Sequence, residues 1–303
     1  MSESKTVFIF GLGYSASYAA QRLATDGFEI VGTSRSSDGG AQIAARGWQS
    51  LLFDGIFREE IAQHMRRADH ILISIAPDVA GADPGAPYGG DPVLSVFANT
   101  FKDLPKKPWL GYLSTVGVYG HHEGAWVDET SACYPVSKRS LARLAAENAW
   151  RDLAAEIGSP LGVFRLSGIY GFGRNPLEKV ARGEGRRINK PGQVFNRIHV
   201  QDIASALVLA VQQRADGLFN ITDDEPAPPQ DVVKYAAELL KMPVPPLIPF
   251  DECDLSPMGR SFYGENKRVS NQKSKEQLGL SYAMPTYREG MKRALLDVQN
   301  KLA

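Results

Sequence analysis

The chain has 303 residues, 43% hydrophobic and 22% charged, an ordinary soluble globular composition with apolar content for one large or two modest cores. Lys+Arg and Asp+Glu balance at 34 each, so no global field draws in nucleic acid or anionic lipid, and neither is expected as a partner. Two cysteines, Cys133 and Cys253, make no disulfide framework or metal set, no apolar run approaches a ~20-residue membrane span, and the short glycine-punctuated first stretch is no signal peptide, so a cytoplasmic protein is expected.

Val7 to Phe10 is an apolar, β-favouring run that stops at Gly11-Leu12-Gly13. Ala16, Ala19, Ala20, Leu23 and Ala24 then recur at helical spacing, with Gly27 as a stop signal and Phe28 to Thr33 as a second strand. The unit repeats with Leu51 to Phe53, a helix over Glu59 to Met65, and His70 to Ala76. Trp109 to Ser114 and Leu161 to Leu166 follow, separated by a long helix over Ser137 to Ala155. Strands alternating with helices predict an α/β, Rossmann-type doubly wound parallel sheet. Residues 77 to 92 are half Pro and Gly and leave a strand end, so they are expected to wall a site at the carboxyl edge. Residues 1–166 are read as the dinucleotide-binding domain, with 196–222 returning to it. The other segments of 167–303, including a helix near Asp231 to Lys241, are read as a smaller C-terminal lobe facing the substrate.

GLGYSA, residues 11 to 16, matches G-x-G-x-x-A between a strand and a helix. Gly11 allows the tight turn, Gly13 lets backbone approach a pyrophosphate, and Ala16 permits close helix–strand packing. The helix start, with Tyr14 and Ser15, offers free N–H groups to phosphates. The second strand ends in Thr33-Ser34-Arg35-Ser36 without the acid of NAD sites. A guanidinium and hydroxyls suit a 2′-phosphate, so NADP is the expected cofactor, with Ser34 and Arg35 holding it. Asp54 and Ser74, at the ends of the third and fourth strands, are further cofactor candidates; Asp54 is equally a turn former.

LSTVGVYG (113–120), FRLSGIYGFGRN (164–175), NRIHVQDIA (196–204), FNITDDEP and KRVSN occur in this order. Together they resemble the extended short-chain dehydrogenase/reductases, the group of NAD-dependent epimerases and dehydratases, nearly end to end. The match is best to an atypical subgroup of NADP-binding, epimerase-like proteins with incomplete active-site sets. The resemblance implies that Thr115 is the catalytic hydroxyl, Arg165, Ser167 and Tyr170 line the nicotinamide pocket, and Asp91, Arg197 and His199 face substrate. Asp91 can instead cap the helix that follows, Asp202 can N-cap IASALVLAVQQ, and His199 is equally compatible with a structural role.

The resemblance also implies a Tyr-x-x-x-Lys pair, in which the ammonium favours phenolate and Tyr transfers the proton. Tyr134 and Lys138 in YPVSK have that spacing. The family's LAAE segment, however, ends at Glu147, and aligning on it puts Arg139 and Arg143 in the two places instead, where Arg cannot transfer a proton near neutrality. His121-His122-Glu123 lacks zinc spacing, so no metal is expected, and Trp126, Phe195 and Tyr263 read as packing or as pocket walls. The expected activity is hydride transfer at a carbinol or carbonyl carbon of a small molecule, nucleotide sugars being the family's habit. The alternative is a non-catalytic NADP(H) sensor.

Overall fold

A computed structural model describes residues 5–79 and 86–302. Seven parallel strands form one sheet: β1 (Thr6–Phe10), β2 (Glu29–Ser34), β3 (Gln49–Leu52), β4 (His70–Ile73), β5 (Trp109–Thr115), β6 (Leu161–Leu166) and β7 (Gly217–Ile221). Their spatial order, 3-2-1-4-5-6-7, reverses direction beside β1, so a crevice opens outside the carboxyl ends of β1 and β4. The central strands β1 and β4 are nearly uninterrupted apolar runs because both faces of the sheet are covered there, while the edge strand β3 buries only Leu51. Val7 and Ile9 point into one layer, and Phe8 and Phe10 into the other.

The first layer is α1 (Tyr14–Thr25) against α7 (Val200–Gln213), with Ala16, Ala19 and Ala20 letting the helices approach Ile203, Ala204 and Leu207. The second holds α3 (Glu59–Arg67), α4 (Pro92–Lys102) and α5 (Lys138–Ile157), which bury Met65, Phe97, Phe101 and Trp150. The helix α2 (Ser37–Ala44) follows β2, capped by Ser36, whose hydroxyl accepts from the Gly39 N–H.

A smaller lobe lies over the carboxyl edge. It is built from α6 (Pro176–Ala181), α8 (Pro229–Leu239), α9 (Pro257–Phe262) and α11 (Tyr287–Leu302), whereas α10 (Gln272–Leu278) packs on α7 and β7 of the main layer. Tyr170, Leu177, Val180, Val232, Ala236, Tyr287 and Met291 share one core there. Three short parallel pairs stitch the lobe together: 168–170 with 197–199, 187–189 with 247–249, and 126–127 with 268–269. The expected loop over 77 to 92 divides. Pro77 and Val79 wall the crevice, residues 87–90 form a short 3₁₀ turn under α5, and 80–85 lie outside the described residues. No described helix is long and apolar enough to cross a membrane.

Candidate functional site

The β1–α1 turn is built around Gly11, at φ +79°, where a Cβ would lie 2.6 Å from Cγ1 of Ile75. Its N–H donates to Oγ1 of Thr33 at 2.9 Å, which locks the turn to β2. At Gly13 a Cβ would meet nothing closer than the Gly11 carbonyl at 4.0 Å, so the backbone is bare towards the cleft. Tyr14 and Ser15 begin α1 on the same wall, and the Tyr14 phenol donates to the Phe172 carbonyl at 2.8 Å, tying the helix start to the lobe. A dinucleotide's pyrophosphate fits this cradle of open backbone and unpaired helix N–H groups.

Ser34, Arg35 and Ser74 also line the cleft. Arg35 is exposed and has no hydrogen-bond or ion-pair partner among the described residues. Asp54 does not line it. Its carboxylate is paired with Arg58 at 2.7 Å, which pulls its pKa down to about 2, and Phe53 faces the cleft instead.

Tyr134 and Lys138 are not brought to the cleft, whereas Arg139 and Arg143 are. A residue before proline is disfavoured in the helical region, so Pro135 holds Tyr134 extended. Its N–H donates to the Tyr119 carbonyl at 3.0 Å, and its ring is 61% exposed against His122. The helix begins only at Lys138, after Ser137, whose hydroxyl accepts from the Ser140 N–H at 3.1 Å. Tyr134 and Lys138 therefore share no helical turn. Arg143 donates through Nη1 to the Leu113 carbonyl at 2.6 Å and the Tyr112 hydroxyl at 3.3 Å. Arg139 lies over the Phe262 ring at 5.5 Å.

Thr115 ends β5 on the cleft wall, and its Oγ1 accepts the Gly117 N–H at 3.1 Å, leaving the hydroxyl hydrogen for a ligand. Beneath it, Ser114 donates to Glu147, which binds Arg165 at 2.8 Å. Arg165 is 3% exposed, stacks 4.6 Å from the Tyr119 ring, and does not line the cleft. It supports the β5–α5 junction rather than nicotinamide. Asp91 is fully buried as the N-cap of α4, accepting from Val93 and Leu94 N–H groups at 2.9 Å and from the Trp150 indole at 3.0 Å. Its place is in the frame, not against substrate.

Ser167, Tyr170 and Arg197 do line the cleft. Burial pushes the Tyr170 phenol well above the usual tyrosine range, so it stays a hydroxyl. Arg197 donates to the Phe195 and Ala227 carbonyls at 2.9 and 3.1 Å. His199 is 1% exposed, caps α7 by accepting from the Gln201 N–H, and packs against Tyr170; burial pulls its pKa down to about 4. It is a neutral structural imidazole outside the cleft lining. Asp202 does not cap α7; it accepts the Ala283 and Met284 N–H groups at 2.8 and 3.0 Å. His121 and His122 are engaged with backbone, and Trp126 lies away from the cleft, while Phe195 and Tyr263 form part of its wall.

The cleft encloses about 1700 Å³, above the ~300–1,000 Å³ of ordinary ligand sites and enough for a dinucleotide plus a second molecule. Its charge is one-sided although the chain is neutral. Arg35, Arg139, Arg143, Arg174, Lys179, Arg182, Arg186, Arg197 and Lys267 face Glu178, Glu184, Asp254 and Glu265. Ser137, Ser140 and Lys267 have no counterpart among the candidates from sequence. Ser137 and Ser140 sit beside LAAE and were within reach of that register. Lys267, buried and held by the Gly120 carbonyl and Glu265, depends on contacts far apart in the chain.

An open parallel sheet in this strand order with a glycine turn at its switch point defines a Rossmann-like α/β fold, the fold of the extended short-chain dehydrogenase/reductases. Residues 104–222 match the model of the NAD dependent epimerase/dehydratase family. A functionally unknown conserved protein from Silicibacter pomeroyi DSS has the same structure at TM-score 0.86 and 44% identity, over 98% of this chain and 100% of that one. The UDP-glucose 4-epimerase of Thermus thermophilus, solved with NAD, shares the fold at TM-score 0.77 and 21% identity, over 98% and 100% of the two chains. A Streptomyces 3-diazoavenalumate denitrifying reductase is 26% identical over 179 residues, 55% of this chain and little more than half, 56%, of the reductase.

Proposed function

We propose that the protein is an NADP(H)-dependent oxidoreductase of the extended short-chain type, acting on a small molecule at the inner end of the cleft beside Thr115. The observation that carries this reading is the bare glycine turn together with Arg35, an unpartnered guanidinium at the end of β2 where no carboxylate stands. A bound nicotinamide dinucleotide supplies or accepts hydride. The first N–H groups of α1 hold the pyrophosphate, and Arg35 with Ser34 meets the 2′-phosphate through charge-assisted hydrogen bonds. Thr115 donates its free hydrogen to a substrate oxygen. Tyr134 and Lys138 take no part in this reading, and Arg139 and Arg143 stabilise negative charge without delivering a proton.

A second reading, an NADP(H)-binding sensor without turnover, is favoured by the position of Tyr134 outside the cleft. Calorimetry with NADPH and NADH tests the cofactor, and NADPH is expected to bind more tightly. Deuterium transfer from 4-deuterated NADPH to a panel of aldehydes, ketones and quinones then separates the readings: tight binding with no label in any product supports the sensor.

A further inference from the structure

We propose that the inner cleft holds an oxyanion of the substrate between Arg139 and Arg143, which makes the substrate class a small carboxylate- or phosphate-bearing molecule with an apolar body. The proposal rests on the oxidoreductase reading above and adds the substrate class. The two guanidinium groups lie one turn apart on α5 and both line the cleft, an arrangement in which like charges repel. Neither makes an ion pair among the described residues. Glu147, one turn further on, is already committed to Arg165, Arg151 and Ser114.

The same charges stand at the wrong end of the helix. The start of a 20-residue helix already carries partial positive charge, and its first turn has no acid. Arg139 stands in that first turn and Arg143 one turn on, so the helix end opposes the first charge and the two arginines oppose each other, a cost that an anion between them offsets. The geometry leaves donors for one. Arg143 is oriented through Nη1 by the Leu113 carbonyl, while Arg139 has, among the described residues, only the Phe262 ring. Ser140, 6% exposed on the same wall, accepts the Ser137 hydroxyl at 2.9 Å and keeps its own hydrogen to donate. Leu166, Ile169, Phe195 and Tyr263 supply the apolar side of the cleft.

The test is calorimetric titration of trans-cinnamate, phenyl phosphate and the neutral cinnamyl alcohol into the full chain, with and without saturating NADPH. Cinnamate or phenyl phosphate is expected to bind at least tenfold more tightly than cinnamyl alcohol, and the stronger of the two identifies the group. Arg139→Gln and Arg143→Gln are each expected to weaken that binding roughly ten- to a hundredfold, the loss of a charge-assisted hydrogen bond, while Arg66→Gln on α3 leaves it unchanged. Unfolding temperatures check each variant, and Arg139→Gln alone suffices if Arg143→Gln does not fold. Oxyanions binding no better than cinnamyl alcohol, or unchanged binding in folded Arg139→Gln, overturns the proposal. Loss of NADPH binding with oxyanion binding intact would sink the oxidoreductase reading and leave the anion site standing; the reverse would sink the site alone.

Discussion

The β1–α1 turn and the first turns of α5 line one cleft but arrive at their chemistry by different routes. At the turn, six consecutive residues offer backbone, so the proposed cradle needs only glycine conformation and the N–H groups of a helix start. At α5 the chemistry belongs to side chains, and which ones face inward depends on where the helix begins. Pro135 and the Ser137 cap put that beginning at Lys138, so the arginines one residue and five residues further on enter the cleft while Tyr134 stays outside. A backbone site survives changes in its neighbours; a side-chain site changes its chemistry when its helix starts a few residues later.

The largest expected effect is on the frame beneath α5. Glu147→Gln leaves Arg165 buried without its counter-charge and should cost about 3–5 kcal/mol in urea unfolding, while the distant β1–α1 turn keeps its local geometry. A loss below 1 kcal/mol would mean that this pair does not anchor the α5 side. Next is Arg35, proposed above to meet the 2′-phosphate beside the backbone site. Arg35→Ala should weaken NADPH by about 1.5–3 kcal/mol in calorimetry and leave NADH unchanged. Equal losses for both cofactors would assign Arg35 to the fold.

A smaller effect depends on pH. Burial pushes the Asp223 carboxyl, at the end of β7, up to about 8, with Arg197 opposing, so the fold favours its protonated form. That contribution is fully present below pH ~4 and is lost as pH rises through about 8. Wild type should therefore lose stability relative to Asp223→Asn over this window, with a limiting slope of ~1.4 kcal/mol per pH unit, measured by urea titrations at several pH values. A difference independent of pH would contradict it. The smallest effect is expected at Tyr134→Phe: the residue is exposed and outside the cleft lining, so NADPH affinity and any deuterium transfer should stay within experimental scatter of wild type. A hundredfold loss of rate would return Tyr134 to the reaction and erase the contrast between the two regions.

The parallel sheet and its glycine turn were legible because strands buried on both faces write continuous apolar runs and because the turn's residues are contiguous. The strand Leu161–Leu166 matches to the residue, and the others fall within a few. The β7 edge strand and the three two-residue to three-residue pairs were not, since pairing between distant segments leaves no local period. Within the site, YPVSK has its tyrosine set before the helix by Pro135, and the LAAE register is the one whose two positions, Arg139 and Arg143, line the cleft. Asp91, Arg165 and His199 matched family positions, but their environments turned them into a cap, a buried ion pair and a neutral core imidazole. Those environments come from Trp150, Glu147 and Tyr170, none of them adjacent in sequence.

The ammonium of Lys267 reaches the Gly120 carbonyl across 147 residues, and strand 126–127 pairs with 268–269. Chain entropy must be surrendered before such contacts repay it, so high contact order delays them relative to the local βαβ units. During synthesis the glycine turn has its helix and neighbouring strands available long before residue 267 leaves the ribosome. The wall that Lys267, Tyr287 and Met291 give the cleft is thus completed after the β1–α1 turn and the start of α5. A nascent chain can have the glycine turn assembled while that far wall is still open.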